Sequence, residues 1–226
     1  MIVTRCAVIP AYNAAARLPQ TLDGLLPYVD QIIVVDDGSN DDTAVVAQQH
    51  ERTVVISQRR QGPGGAVLRG LKSARDLGAQ WAVVVDADGQ MDAKRIPFLF
   101  EVLESGDVDL VRGSRLEPES GGDSMPLLRY AAGRILALPS SWSARSSIRD
   151  PLSGFVALRL SKLPDTLWRG FGYPMHLSAA IAAAGGRIEH VAVPASYPRD
   201  GISHHGLHRA PAIFIALMMS AKARLR

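Results

Sequence analysis

Cysteine is almost missing from this chain: Cys6 is the only one among 226 residues. A single thiol excludes an internal disulfide framework and fits a reducing compartment. Its place in an apolar first strand reads as inert burial. Long hydrophobic runs are missing too. The longest, Ala210 to Ala221, carries Pro211 near its start and is shorter than the roughly 20 apolar residues that span a bilayer. Met1-Ile2-Val3-Thr4-Arg5 runs directly into the first strand and reads as leaving no room for a signal peptide. Aromatics are sparse at 6%, with no interleaved basic stripe, zinc-ligand spacing or RNA-binding motif. The net charge of +3 therefore does not call for nucleic acid. That charge is uneven: from Arg187 onward six Lys/Arg face two Asp/Glu, an end suited to something anionic. A cytoplasmic protein is expected, at most peripheral at the inner membrane face.

What is present suits one well-cored α/β domain, with 47% hydrophobic and 21% charged residues. Apolar, β-branched runs predict strands at Cys6–Ile9, Gln31–Val35, Thr53–Ser57, Trp81–Val85 and Asp109–Val111. Helical spacing predicts helices at Ala15–Leu26, Asp42–His50, Gly65–Leu77 and Ala93–Leu103. Asn40 or Asp41 is suited to capping the second helix. This alternation is the signature of a mainly parallel, Rossmann-like sheet flanked by helices. Residues 1–115 form one half and 116–226 the other. In the second half a helix at Met175–Ala184, a strand at Ile188–Val193 and a closing helix at Leu207–Leu225 are predicted. Glu117–Ser124 and the Ser-rich Ser140–Ser147 read as loops that order over a substrate.

The most informative segment is Val83-Val84-Val85-Asp86-Ala87-Asp88-Gly89-Gln90. Two acids follow a strand that reads as buried, so they should emerge at its carboxyl end, where open α/β sheets bind ligands. Hard oxygen donors there suit Mg²⁺ or Mn²⁺ bridging to a diphosphate. At the second strand's end, Asp36 and Asp37 can accept hydrogen bonds from a base or ribose, and Asp41 or Asp42 suits helix capping. Gln61-Gly62-Pro63-Gly64-Gly65-Ala66 opens the third helix. It reads equally as a phosphate cradle or a purely structural loop, and it is not a Walker loop. His204, His205 and His208 lack a companion Cys or carboxylate pattern and read as a polar loop.

Pro10-Ala11-Tyr12-Asn13, Val35-Asp36-Asp37-Gly38-Ser39, Gly62–Ala66, Asp86–Gln90, Gly113-Ser114-Arg115 and Asp150-Pro151-Leu152-Ser153-Gly154-Phe155 form an ordered set. Across residues 5–210 it resembles the family 2 glycosyltransferases, and most of all their dolichyl- or polyprenyl-phosphate mannose or glucose synthase branch. The resemblance implies a GT-A fold, a GDP- or UDP-sugar donor and inversion at the sugar. It places Pro10, Ala11, Tyr12, Asn13, Asp36, Asp37, Gly64, Asp86, Ala87 and Asp88 at the nucleotide sugar. Asp86, Asp88 and Gln90 match the metal segment. Arg115, Ser153, Arg199 and Ser203 fall on the acceptor and phosphate side. Four departures stand out: Ala14 and Pro63 replace an acid and a lysine, His204 replaces a lysine, and Tyr173-Pro174-Met175-His176 replaces an acidic segment.

Charge dictates the expected chemistry. The departing diphosphate gains negative charge, which a cation, Arg199 and helix amino termini can stabilise. A lipid phosphate acceptor needs little deprotonation, whereas a hydroxyl acceptor needs a base. Asp150 is the candidate base or acceptor-orienting group. His176 is a second catalytic candidate, set against a structural role. The first reading is transfer to a polyprenyl phosphate. The second is the same donor chemistry with a soluble hydroxyl acceptor, in polysaccharide or natural-product assembly. A sugar-1-phosphate nucleotidyltransferase should show a basic Gly-rich first turn, which Pro10–Asn13 is not. A non-catalytic binder would have no need to keep Asp86, Asp88 and Gln90. The closing helix can lie on a membrane, on the sheet or on a second copy in a homodimer, and its partial amphipathicity favours the sheet.

Overall fold

Apolar strands that alternate sides need cover on both faces, and the computed structural model supplies it for the described residues, 3–117, 120 and 127–194. The elements run β1 (Arg5–Ala11), α1 (Leu18–Leu25), β2 (Gln31–Asp36), α2 (Thr43–Gln48), β3 (Thr53–Ser57), α3 (Pro63–Asp76) and β4 (Trp81–Val84). Then follow α4 (Ile96–Glu104), β5 (Leu110–Ser114), α5 (Leu127–Ala144), β6 (Val156–Arg159), α6 (Tyr173–Ala183) and β7 (Ile188–Ala192). On one face Cys6 and Val8 of β1 join Ala66, Val67 and Leu71 of α3 and Leu177 and Ile181 of α6. On the other, Ala7 and Ile9 meet Leu18, Leu22 and Leu25 of α1 and Leu99, Phe100 and Leu103 of α4. Each such aliphatic side chain contributes about 1.5–3 kcal/mol by leaving water. Burial also drives the Cys6 thiol up to about 12, with the charge of Asp30 adding to the effect, so the thiol is inert at neutral pH.

The seven strands form one sheet in the order β3-β2-β1-β4-β6-β5-β7. All neighbours are parallel except β6, which runs against both β4 and β5. From β1 the chain winds outward through β2 and β3, then returns to place β4 on β1's other side. Pairing of β1 with β2 continues to Ala11↔Asp36, while pairing with β4 stops at Val8↔Val84. The sheet therefore splits at its carboxyl edge, between Tyr12 and Asp86, as expected for a ligand crevice at a switch in strand order.

Every strand expected from the sequence is present, along with one that was not. The antiparallel β6 comes from the short apolar run Phe155-Val156-Ala157-Leu158, which periodicity alone leaves ambiguous. The expected loop at Ser140–Ser147 needs correction, because α5 continues through Pro139 to Ala144. Two of its serines bond within the helix: Ser141 Oγ donates to the Ala137 carbonyl at 2.6 Å and Ser143 Oγ to the Ser140 carbonyl at 3.0 Å. Asp41, not Asn40, assists the start of α2, accepting the Thr43 backbone N–H at 3.1 Å. Among the described residues no helix is long and apolar enough to cross a membrane. The predicted closing helix, Arg199, Ser203, His204, His205, His208 and most of Glu117–Ser124 lie outside the described residues.

Candidate functional site

Just beyond the end of β4, Ala87 packs into the core between Asp86 and Asp88. Burial pushes the Asp86 carboxyl up to about 7; the neighbouring charge of Asp88 adds to this, and Arg115 opposes it. Asp88 Oδ1 accepts the Gln90 backbone N–H at 3.0 Å, which turns the chain at Gly89. Two carboxylates that resist sharing negative charge make a site for a cation. Among the described residues no three His, Cys, Asp or Glu side chains converge. A cation here would take Asp86 and Asp88 and complete its shell from ligand oxygens, the arrangement Mg²⁺ commonly adopts with phosphates. The donor set fits.

Facing these acids are the loops after β1 and β2. Ala11 is buried and its carbonyl accepts the Asp37 N–H at 2.8 Å. Asn13 takes a positive φ of 50°, donates its N–H to Ser39 Oγ at 2.9 Å and accepts from the Asn40 N–H at 2.8 Å. Ala14 and Ala15 are tied in the same way to Thr43 Oγ1 and Asp41 Oδ2, at 2.8 and 3.1 Å. The segment from Pro10 to Ala15 is thus fixed by the loop 39–43. Tyr12 lies exposed at the rim with the Arg60 guanidinium 3.9 Å above its ring centroid and Nη1 3.0 Å from its hydroxyl. Arg60 was not singled out in the sequence, because an Arg-Arg pair just beyond a strand carries no specific pattern.

Asp36 and Asp37 differ. The Asp36 carboxylate takes one donor, the Ser39 N–H at 3.0 Å. Asp37 is 3% exposed and accepts from Gln58 Nε2, the Gln61 N–H and the Gly62 N–H, each at 2.7 Å. Its oxygens are committed to holding the Gln61-Gly62 turn.

That turn corrects the phosphate-cradle reading of Gly64. The Gly64 N–H donates to the Arg169 carbonyl at 2.8 Å, and a Cβ on Gly64 would lie 1.9 Å from the Trp168 carbonyl oxygen. The glycine permits backbone to press on backbone, not on phosphate. Gly64→Ala should therefore cost about 3 kcal/mol, read as a lower denaturation midpoint. An unchanged midpoint would mean that residues 168–170 can move aside.

Beyond β5 the residues expected on the acceptor side lie in a buried polar cluster. Asp150, 1% exposed, is gripped by Arg115 through Nε at 2.8 Å, Nη2 at 3.0 Å and the backbone N–H at 3.1 Å. Burial alone would raise the Asp150 carboxyl, but the Arg115 guanidinium and its hydrogen bonds hold it below the usual carboxylate range. Such a group is a poor base. His176 is likewise corrected as a titrating catalyst. Its Nδ1 accepts the Trp168 N–H at 3.2 Å and burial lowers its pKa, so it stays neutral and serves the 168 turn. Ser153 is buried with its hydroxyl unpartnered, and its carbonyl accepts from Arg112 Nη1. Arg112 also donates through Nη2 to the Pro174 carbonyl at 2.8 Å and to Ser178 Oγ at 2.5 Å. Burial lowers its pKa to about 10, still charged at neutral pH. A charge inside the apolar run Leu110-Val111-Arg112 was the available signal for it.

With this geometry in place, the family model described as glycosyl transferase family 2 matches residues 6–153, more than half of the chain. The chain belongs to that family. An uncharacterised glycosyltransferase of Mycobacterium tuberculosis is 35% identical over 149 residues, 63% of this chain and 62% of the relative. The match thus spans about three fifths of that relative's length. An undecaprenyl-phosphate mannosyltransferase of Micrococcus luteus is 29% identical over 198 residues, covering 82% of this chain and 81% of its own. Among solved structures, M. tuberculosis glucosyl-3-phosphoglycerate synthase, in complex with Mn²⁺, UDP and glucosyl-3-phosphoglycerate, superposes with a TM-score of 0.73. It is 21% identical and covers 98% of this chain and 80% of that one, a likeness of fold. The fold is the GT-A type that the sequence resemblance implied. The split between β1 and β4 has Asp86 and Asp88 beyond the end of β4 and Tyr12 and Asp36 at the ends of β1 and β2.

Proposed function

We propose that this protein moves a sugar from a nucleotide-diphosphate sugar to a phosphate-bearing acceptor of the polyprenyl phosphate class, with a divalent cation. The observation that carries the reading is the Asp86–Asp88 pair at the open carboxyl edge of β4, with the Arg115–Asp150 pair beside it. Asp86 and Asp88 would hold Mg²⁺ or Mn²⁺, with Gln90 next to them. A bound cation supplies Lewis acidity to the departing diphosphate. Tyr12 and Asp36 would orient the nucleoside, while Asp37 keeps the Gln61-Gly62 turn from collapsing into it. Arg115, fixed by Asp150, adds a positive charge near Asp86. Arg199 and Ser203 remain proposed for the phosphate and acceptor side.

The acceptor class follows from proton bookkeeping. Both sequence candidates for a general base, Asp150 and His176, are committed to other partners. A hydroxyl acceptor would have to lose a proton to one of them, whereas a phosphate monoester already offers an anionic oxygen. The mannosyltransferase of Micrococcus luteus, whose name places its acceptor in this class, is in keeping with that. The experiment is a panel of UDP- and GDP-sugars with Mn²⁺, offered polyprenyl phosphate or soluble alcohols, with products weighed by mass spectrometry. A glycosylated lipid phosphate is expected. Transfer confined to soluble alcohols would overturn the acceptor; no transfer or donor hydrolysis with any sugar would overturn the enzyme.

A further inference from the structure

Gly154 stands between Tyr173 and Asp86. A Cβ on it would lie 2.8 Å from the Tyr173 hydroxyl oxygen and 3.4 and 3.5 Å from the two Asp86 carboxylate oxygens. Glycine therefore leaves a narrow slot with a phenol on one side and a carboxylate on the other. Tyr173 is 4% exposed, and its hydroxyl has no hydrogen-bond partner. An unpaired buried hydroxyl is costly, and phenylalanine would fill the same volume without that cost.

The slot is also held rigidly. Arg112, fully buried, donates to the Ser153 carbonyl just before Gly154 and to the Pro174 carbonyl just after Tyr173. One guanidinium thus clamps the two segments that carry the slot's floor and its hydroxyl. An ionised carboxylate only accepts hydrogen bonds, and a phenol is a good donor to it.

We propose that Tyr173 is a positioning residue whose O–H donates to the Asp86 carboxylate across Gly154, directly or through one water, and so fixes the face that Asp86 turns toward the donor diphosphate and its cation. This deepens the functional reading above and rests on it. The remaining Asp86 oxygen, held in one orientation, then meets the cation without having to be ordered on binding. Hydrogen bonds from outside a metal's own ligands typically govern its affinity in this way.

The test is a Mn²⁺ titration of the full chain, followed by electron paramagnetic resonance of free Mn²⁺, for wild type, Tyr173→Phe and Asp88→Ala. Tyr173→Phe should weaken Mn²⁺ binding about tenfold while its melting temperature stays level or rises. A merely structural tyrosine would instead lower the melting temperature and leave the affinity of the folded protein alone. Wild-type affinity in Tyr173→Phe, alongside clear loss in Asp88→Ala, would overturn this proposal and spare the functional reading. Wild-type protein that binds no Mn²⁺ would overturn both.

Discussion

Replacing Asp86 with asparagine should stabilise the metal-free protein while lowering sugar transfer by about a thousandfold. The stabilisation follows from linkage. The folded protein raises the Asp86 carboxyl from an ordinary 3.8 to about 7, chiefly by burial and then by the charge of Asp88. The folded state thus holds this proton more tightly than the unfolded chain does. The associated stability is fully present below about 3.8 and is lost as pH rises through about 7. Above that, wild type carries a half-buried charge beside a second one, and asparagine removes it. The gain in melting temperature should therefore be largest near pH 8 and fade toward pH 4, measured in EDTA. Mn²⁺ should restore wild-type stability at pH 8 and leave the variant unmoved. The loss of transfer follows from the same charge, because several kcal/mol of leaving-group stabilisation correspond to about three powers of ten in rate. A variant that melts lower than wild type at pH 8, or that still transfers sugar at the wild-type rate, would contradict this account.

How much of this could be read from the sequence depended on whether a residue's role is local. Asp86 and Asp88 were legible because an apolar run followed by acids fixes where they emerge, whatever surrounds them. The strands β1, β2, β4 and β5 were legible for the same reason. Gly64 was not: whether a glycine admits phosphate or a neighbouring backbone depends on Trp168 and Arg169, about a hundred residues away. Asp37 and Asp150 share that limit. Each is an acid in a family motif, yet Asp37 is spent on the Gln61-Gly62 turn and Asp150 on Arg115. The Ser140–Ser147 segment misled because serine composition suggests a loop, while hydroxyls bonded to preceding carbonyls let a helix continue. His176 shows the converse. Its commitment to the Trp168 N–H and the lowering of its pKa by burial depend on residues that its own helix does not show.

Arg115→Met should cost about 3–5 kcal/mol, because it leaves Asp150 as an unpaired charge in a site that water does not reach. Against a total stability of roughly 5–15 kcal/mol, this is enough to bring the protein near its folding threshold. The pH dependence distinguishes the cause. In wild type the Asp150 carboxyl lies below its ordinary value, so its contribution is present at neutral pH and lost as pH falls through that lowered value. In Arg115→Met, burial is no longer opposed by the guanidinium, so acidification should protonate Asp150 and recover part of the loss. Wild type and variant should thus converge on acidification, with denaturant midpoints followed from pH 8 to pH 4. Replacing both residues with apolar side chains should cost less than removing Arg115 alone, since no buried charge is left behind. Equal losses in the single and double variants would instead assign the effect to Arg115's packing against its other neighbours. Transfer should fall in both, because Asp86 loses the positive charge of Arg115 that draws its carboxyl down toward ionisation.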